Sequence, residues 1–419
     1  MKWLLNTNVV SPHTVPLAIA LKNHAKQSDV SYAYCSMPSD PVRSKNEYKK
    51  ISGFSIDARS NKGIAIQASL DADVLIENVR DFDVIESRAK GRRPTFYVSE
   101  RWFKPVRLDS LKRSEYAQGD GIVVPGFFKM FLPFAIKRAF RIVRLLRDRH
   151  NGFVYLPIGL FAARDMARLC GLFSGDLKCL LRPPKLEYDN KAGGMIRLKG
   201  EPQDTQKSRR YCLDKMRMWG YFVESSSNDM LSTDCISRAM RHEIKVLWVG
   251  RLLSWKRVDT IIRAVCEYAD LRKADDSMTK ISLNIYGDGP EKKHLMNMAQ
   301  SAPDLIAFHP YLAHDEVRKV MKEHDVYVLA SNEFEGWGAV VNEALTEGMK
   351  VIGTYESGAS VTMLPESNLY HVGDWRQLMK ILSKPIPDVS IDMWTPGYAA
   401  HSLVEFANDM GKHERNGGK

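Results

Sequence analysis

No run of about twenty apolar residues occurs anywhere in the 419-residue chain, so no segment is built to cross a bilayer as a helix. Cysteine is sparse. Six are scattered (Cys35, Cys170, Cys179, Cys212, Cys235, Cys266) with no Cys-x-x-Cys pair, which fits free, buried thiols in a reducing cytoplasm better than a disulfide framework. Internal repeats and long low-complexity tracts are also missing. The opening residues, Met1-Lys-Trp-Leu-Leu-Asn-Thr-Asn8, meet polar side chains too early for a signal peptide and read as a first strand. What remains is a globular composition, 44% hydrophobic, in a chain too long for one ordinary domain; two domains are expected. The net charge of +11 suits an anionic membrane surface or a nucleic acid. Nucleic acid is not expected as a partner, because no nucleic-acid-binding motif is present and the basic residues do not stand among stacking aromatics.

The first half alternates short apolar runs with helical patterns: Trp3–Thr7, Ala72–Ile76, Thr95–Val98, Gly121–Val124 and Gly152–Leu156. Leu177–Leu181 reads as one more strand. The pattern stops near Phe222-Val-Glu224, where Ser225-Ser-Ser-Asn-Asp229 starts a linker, and Ile244 opens a second sheet. The division expected is 1–224, a linker 225–243, a second domain 244–390, a helix within 391–411 and a polar tail 412–419. For that helix, Thr395 is a good N-cap and Pro396 a good first position. Ala399, Leu403, Phe406 and Met410 fall on one face, and Gly411 can close it.

Three strand-end clusters stand out in the second half. Lys245-Val-Leu-Trp-Val249 reads as a buried strand, followed by Gly250-Arg251-Leu-Leu-Ser-Trp-Lys256-Arg257 and a helical pattern from Val258 (Ile261, Ile262, Val265, Tyr268). Arg251 and Lys256 thus sit at the carboxyl end of a strand, where open α/β sheets bind ligands, and a guanidinium fork with an ammonium suits a diphosphate. Leu283-Asn-Ile-Tyr-Gly287-Asp-Gly-Pro-Glu291 is a second strand ending in a glycine turn. The third cluster follows the apolar stretch Val326–Ala330: Glu335-Gly-Trp-Gly-Ala-Val-Val-Asn-Glu343 reads as a glycine loop opening a helix, a ready anion site. Carboxylates beside such a site would repel phosphate, so Glu335 and Glu343 are expected to meet hydroxyls of a sugar or a ribose.

These motifs, in this order over roughly Ile244 to Leu382, resemble the donor-binding half of glycosyltransferase family 4. The resemblance implies a GT-B fold: two Rossmann-like domains facing across a cleft, with the last helix crossing back to the first domain. It also implies a retaining transfer from a nucleotide-diphosphate sugar to a glycan or lipid-linked acceptor, in surface polysaccharide or glycoconjugate synthesis. By the family's pattern Arg251 and Lys256 hold the diphosphate, and Gly287, Asp288, Gly289 and Pro290 lie near the base. Glu335 faces the donor sugar beside the amides of Gly336, Trp337 and Gly338, with Trp337 shaping the sugar pocket, and Glu343 takes the ribose hydroxyls. No metal and no cofactor beyond the nucleotide sugar is implied, since the two cations replace an ion and no Asp-x-Asp pair stands nearby. An epimerase or hydrolase of nucleotide sugars on the same architecture, and a non-catalytic nucleotide-sugar-binding scaffold, remain alternatives.

The first domain is expected to choose the acceptor. His13 lies in the loop after the first strand, and Glu100 and Arg101 follow Thr95–Val98. Glu100 can bind or deprotonate an acceptor hydroxyl, or pair with Arg101. Where many relatives carry a His, this chain reads Ile76-Glu77-Asn78-Val79-Arg80, so no acceptor-side His is assigned there. One segment bears on location: between Phe127 and His150, Lys129, Lys137, Arg138, Arg141, Arg144, Arg147 and Arg149 face one acid, Asp148. Ile136, Ala139, Phe140, Val143 and Leu146 share a helical face opposite Lys137, Arg141 and Arg144. That pattern fits either a solvated domain helix or an interfacial helix, which would make the protein cytoplasmic and peripheral on an anionic membrane.

Overall fold

The computed structural model describes residues 1–11, 13–24, 29–37, 48–79, 81–104, 106–107, 123–124, 126, 128, 132–180, 182–189, 194–202, 205–224, 243–275 and 277–416. The expected linker, apart from its last residue, lies outside these, as do Gly121, Ile122, Phe127, Lys129, Phe131, Leu181 and Cys235. The chain forms two compact units, one of Met1–Phe103, Gly126–Glu224 and Asp392–Lys419, the other of Lys104–Pro125 and Ser225–Ile391.

In the first unit, β1 (Lys2–Val9), β2 (Asp29–Ser36), β3 (Ser55–Asp57), β4 (Val74–Glu77) and β5 (Thr95–Ser99) are joined by β8 (Phe153–Pro157) in one sheet; between β5 and β8 in sequence, β6 (Val106–Arg107) and β7 (Val123–Val124) form an antiparallel ribbon that belongs to the second unit. The sheet is parallel, in the order β3-β2-β1-β4-β5-β8. Parallel pairing needs crossovers, which α1 (Val15–His24), α2 (Lys62–Asp71), α3 (Phe82–Lys90) and α4 (Pro133–Arg147) supply. Asn61 and Asp81 cap α2 and α3 by accepting the amides of Gly63 and Val84. Then come α5 (Gly159–Leu172), the hairpin β9 (Leu186–Asp189) and β10 (Met195–Leu198), and the short α6 (Gln206–Arg210).

The second unit repeats the plan with β11 (Glu243–Val249), β12 (Lys280–Tyr286), β13 (Ile306–His309), β14 (Val326–Leu329), β15 (Lys350–Thr354) and β16 (Leu369–Tyr370), in the order β13-β12-β11-β14-β15-β16. Its helices are α7 (Val258–Ala274), α8 (Lys292–Ala299), α9 (His314–Lys322), α10 (Val340–Thr346), α11 (Gly358–Met363) and α12 (Trp375–Leu382). Val246, Trp248, Ile261, Ile262, Val265, Leu283, Ile285 and Val328 form its core, which explains the near-continuous apolar strands. Both sheets reverse direction of growth beside their first strand, at β1/β4 and at β11/β14. That is where a crevice opens at the carboxyl ends of an open parallel sheet.

Three sequence expectations change. Leu177–Leu180 is a 3₁₀ turn, not a strand: Gly175 (φ 84°) reverses the chain after α5, Leu177 points outward, and the Cys179 thiol donates inward to the Arg168 and Asp176 carbonyls. Of the Gly121–Val124 run, the described Val123 and Val124 form β7, paired with β6 and outside the parallel sheet. The last helix, α13, starts at Pro396 with Thr395 Oγ1 accepting the Tyr398 amide, but it continues through Gly411 to Asn416. A lone glycine costs a helix only about 1 kcal/mol, and no proline follows to stop it. This helix belongs to the first unit and packs on α1.

Two buried ionisable groups mark opposite edges of the first sheet. Arg88 on α3 donates to the carbonyls of Ser69, Ala72, Asp73 and Pro94 and to Thr95 Oγ1, tying the turns that lead into β4 and β5; burial brings its guanidinium down to about 10. At the carboxyl edge, Glu77 is fully buried beside its cross-strand neighbour Asn6, whose Nδ2 donates to Oε2 at 3.0 Å. Burial raises the Glu77 carboxyl well above its ordinary value of 4.5, although the Asn6 and Val79 N–H groups hold it down in part. Such a group binds its proton more tightly folded than unfolded, so its contribution to stability is lost as pH climbs from about 4.5 through the raised folded value. Chemical denaturation across that window should show stability falling more steeply with pH in the native protein than in Glu77→Gln; parallel profiles would contradict the buried, proton-bound carboxyl.

Candidate functional site

The second unit's site begins with backbone, not side chains. Gly287 (φ 152°) and Gly289 (φ 155°) follow β12 and lie against the loop after β11. The Gly250 amide donates to the Tyr286 carbonyl at 3.0 Å, Leu252 to Asp288 at 2.8 Å, and Glu291 back to Leu252 at 3.1 Å. A Cβ at Gly287 would fall 1.9 Å from the Gly250 carbonyl oxygen, and one at Gly289 would fall 2.5 Å from that of Leu252. These glycines therefore join two strand-end loops. Asp288 and Pro290 stay exposed at the rim, where the Gly289 amide and Lys292 hold the Asp288 carboxyl below its usual range.

That zipped loop carries Arg251, exposed, and Lys256, in a 3₁₀ turn (Ser254–Lys256) ended by Arg257 in the left-handed region. Arg257 is committed to Asp259 through two hydrogen bonds of 2.9 Å. Lys256 lies 4.4 Å from the centre of the Trp255 ring and forms an ion pair with Glu335. Glu335 also accepts from Ser331 Oγ at 3.0 Å, and the Asn332 amide donates to the Trp255 carbonyl at 3.0 Å, so the loops after β11 and β14 are stitched together at the strand reversal. Both partners of the pair are largely, not wholly, covered.

After Glu335 the chain turns through Gly336, Trp337 and Gly338 (φ 90°) into α10, seven residues long. Trp337 is 4% exposed, its indole N–H donates to Asn342 at 2.7 Å, and its carbonyl accepts the Ala359 amide at 2.8 Å; it braces the glycine turn from inside. Glu343, on α10 and mostly buried, meets His314 Nε2 at 3.1 Å. Tyr327, on β14, is buried. Its phenol is pushed up by burial and then by the charges of Glu335 and Glu343. Arg251, Lys256, Glu335 and Glu343 are thus carried at the carboxyl edge of this sheet. Sequence reasoning missed Ser331, His314 and Tyr327, none of which lies in a recognisable motif. Among the described residues no group of three His, Cys, Asp or Glu stands ready to hold a metal ion.

In the first unit, His13 and Glu100 meet through a residue the sequence did not single out. The Tyr221 ring stacks on His13 with centroids 4.8 Å apart, and its hydroxyl donates to Glu100 Oε1 at 2.7 Å. Arg101 lies over the Phe161 ring and 3.9 Å from Asp165. On α4 the expected apolar face is divided. Ala139, Ile142, Val143, Leu145 and Leu146 are buried, whereas Leu132, Phe134, Ile136 and Phe140 remain 42–63% exposed. Two of the cations expected on the polar face also pair with α3: Arg141, partly covered, with Asp83 and Glu86, and Arg144, which stays exposed, with Glu86. No helix among the described residues is long and apolar enough to cross a membrane.

Residues 237–386, most of the second unit, match the family model described as Glycosyl transferases group 1. The match stops short of the first unit. An uncharacterized glycosyltransferase of Methanocaldococcus jannaschii is 28% identical over 134 residues, covering 32% of this chain and 33% of that protein; the chain thus spans about a third of the length of the curated relative it matches. Over nearly the full length the fold is that of solved GT-B enzymes. The lipopolysaccharide outer core galactosyltransferase WaaB, apo form, superimposes with a TM-score of 0.55 at 13% identity (98% of this chain, 99% of that one). Anabaena HepE, solved with UDP, does so with 0.51 at 11% identity (99% and 100%).

The zipped loops generate a direct prediction. Gly287→Ala forces the two loops apart and strains the backbone by about 1–3 kcal/mol. Its melting temperature should fall, and its ligand response should weaken along with that of Lys256→Ala. An unchanged melting curve would mean that the loops are not joined as described.

Proposed function

We propose that the protein transfers a sugar from a nucleotide-diphosphate sugar to the hydroxyl of a glycan or lipid-linked acceptor, with retention of anomeric configuration. The single observation that carries this reading is the Lys256–Glu335 pair at the strand reversal of a glycosyltransferase group 1 domain. The ammonium and the carboxylate satisfy each other. An arriving diphosphate offers Lys256 a more highly charged partner, and the release of Glu335 frees a carboxylate to accept donor-sugar hydroxyls. Arg251 adds a guanidinium fork for the phosphate oxygens. Glu343, steadied by His314, takes the ribose hydroxyls.

Departure of the nucleotide diphosphate builds negative charge on the leaving oxygen, which Arg251 and Lys256 stabilise. Glu335 is occupied in positioning, so the reading is front-face attack: the acceptor hydroxyl approaches the side the diphosphate leaves, and its proton passes to the leaving phosphate. The reading is metal-independent, because the two cations supply the charge that a divalent ion otherwise brings. Support for a nucleotide-sugar donor comes also from HepE, a fold neighbour solved with UDP. His13, Tyr221, Glu100 and Arg101, at or near the carboxyl edge of the first sheet, are the acceptor-side groups in this reading. The exposed Leu132, Phe134, Ile136 and Phe140, with Lys137 beside them, form the face that would rest on an anionic membrane in a peripheral, cytoplasmic protein.

Transfer assays check the assignment. Lys256→Ala should lose about 2–4 kcal/mol of transition-state stabilisation, as for loss of one strong charge-stabilising donor, and a chelator should leave the native rate unchanged. Near-normal kcat in Lys256→Ala, or abolition of activity by chelation, would contradict the mechanism.

A further inference from the structure

An outer segment extends the first sheet beyond β8. Met216 and Trp219 stand beside Tyr155 and Ile158 in parallel register. The Arg217 amide donates to the Tyr155 carbonyl at 3.0 Å, Trp219 to Pro157 at 3.1 Å, and Gly159 to Trp219 at 2.9 Å. Residues 216–219 therefore lie on the side of β8 away from β5. Tyr221 follows this segment at the same carboxyl edge where His13 follows β1 and Glu100 follows β5. Its ring reaches back to both. It stacks on His13 with centroids 4.8 Å apart and planes 12° from parallel, and its hydroxyl donates to Glu100 Oε1 at 2.7 Å. One phenol thus joins three segments that are not neighbours in the sheet, at the edge where open parallel sheets take ligands.

Glu100 is exposed, and its other oxygen, Oε2, makes no hydrogen bond or ion pair among the described residues. The adjacent Arg101 does not neutralise it, because that guanidinium lies over Phe161 and toward Asp165. Of the two roles that the sequence leaves open for Glu100, the ion pair with Arg101 is not the one formed. An exposed glutamate ordinarily moves freely; this one is held by a charge-assisted bond from a ring that is itself stacked. Burial, followed by the Glu100 charge and hydrogen bond, raises the Tyr221 phenol, so the proton stays on Tyr221 and the bond keeps its direction. A carboxylate only accepts hydrogen bonds. Held in place and left without a cation, Oε2 suits hydroxyl donors and repels phosphates and carboxylates. Neighbouring hydroxyls of a sugar supply such donors, and the half-buried rings of His13 and Tyr221 border the carboxylate with apolar surface for ring carbons.

We propose that Glu100, positioned by Tyr221, binds the hydroxyls of an uncharged sugar, so that the receiving end of the acceptor is a neutral saccharide and acidic or phosphorylated sugars are rejected there. The acceptor role rests on the transferase reading above; the sugar site itself does not.

An array of immobilised neutral, uronic-acid-containing and phosphorylated oligosaccharides, probed with labelled native protein, tests it. Binding should favour the neutral glycans. Calorimetric titration with the strongest neutral binder should show affinity at least tenfold weaker in Glu100→Ala, in a variant whose melting curve is native. Tyr221→Phe keeps the stacked ring and removes the donor; it should cost less than Glu100→Ala and add little to it. Glu100→Gln should let acidic glycans bind as well as neutral ones, a change of selectivity that a purely packing role would not produce. Preference of the native protein for acidic or phosphorylated glycans, affinity unmoved in Glu100→Ala, or no glycan retained at all would overturn the proposal. A nucleotide response without Glu100-dependent glycan binding would sink this inference and spare the transferase reading. Glu100-dependent glycan binding in a protein that answers to no nucleotide diphosphate would count against that reading and leave this site standing.

Discussion

The backbone contact between Gly250 and Gly287 is the constraint on which the second unit's site depends. Parallel pairing of β11 and β12 brings their carboxyl ends level, and the absence of a side chain at Gly287 lets the two following loops touch. Once zipped, the first loop has one course, through Leu252 and into the turn that lifts Lys256 toward the loop after β14. The Trp255 carbonyl then receives Asn332, and Lys256 reaches Glu335. A cation and a carboxylate 79 residues apart meet because two glycines gave way to backbone.

In the second unit's site, Lys256 has a carboxylate, Glu335, to exchange for a ligand, and His314 lies against Glu343. A ligand that displaces these contacts gains only the difference between two partners, which favours reversible binding and a turnover site. The same chain also buries charge with no such use. Arg318 and Glu347 form a covered pair between α9 and α10, and Arg88 satisfies five backbone and hydroxyl acceptors at the edge of the first sheet away from the ligands. Burial alone therefore does not mark function.

Much of the second unit was legible from sequence because its strands are buried on both faces and its loops start with glycine. β11, β12 and β14 fall where apolar runs ended in Gly250, Gly287 and the Glu335 loop, and α7 begins at Val258 as its periodicity required. Thr395-Pro396 announced its helix by capping chemistry. Weaker signals misled where a run was too short for its period to be read. Leu177–Leu180 is apolar, but its leucine faces outward and its cysteine inward on a tight turn. On α4, periodicity found a helix but could not tell which apolar residues its neighbours cover, so Val143 and Leu146 are buried while Ile136 and Phe140 are not. Partners distant in sequence were invisible. Tyr221 and Glu100 are 121 residues apart, and His314 and Glu343 are 29 apart, with no local pattern to link them.

The central claim is that Lys256 and its neighbours bind a nucleotide diphosphate. The most direct test is a metal-free thermal-shift panel of UDP, GDP, ADP and CMP with their common sugars, run on the native protein and on Lys256→Ala. Ligand at a thousand times its Kd stabilises the folded state by about 4 kcal/mol, a shift that is easily measured. The account predicts that one nucleotide diphosphate raises the melting temperature of the native protein and fails to do so in Lys256→Ala. Silence across the whole panel, or an equal shift in both proteins, would contradict it.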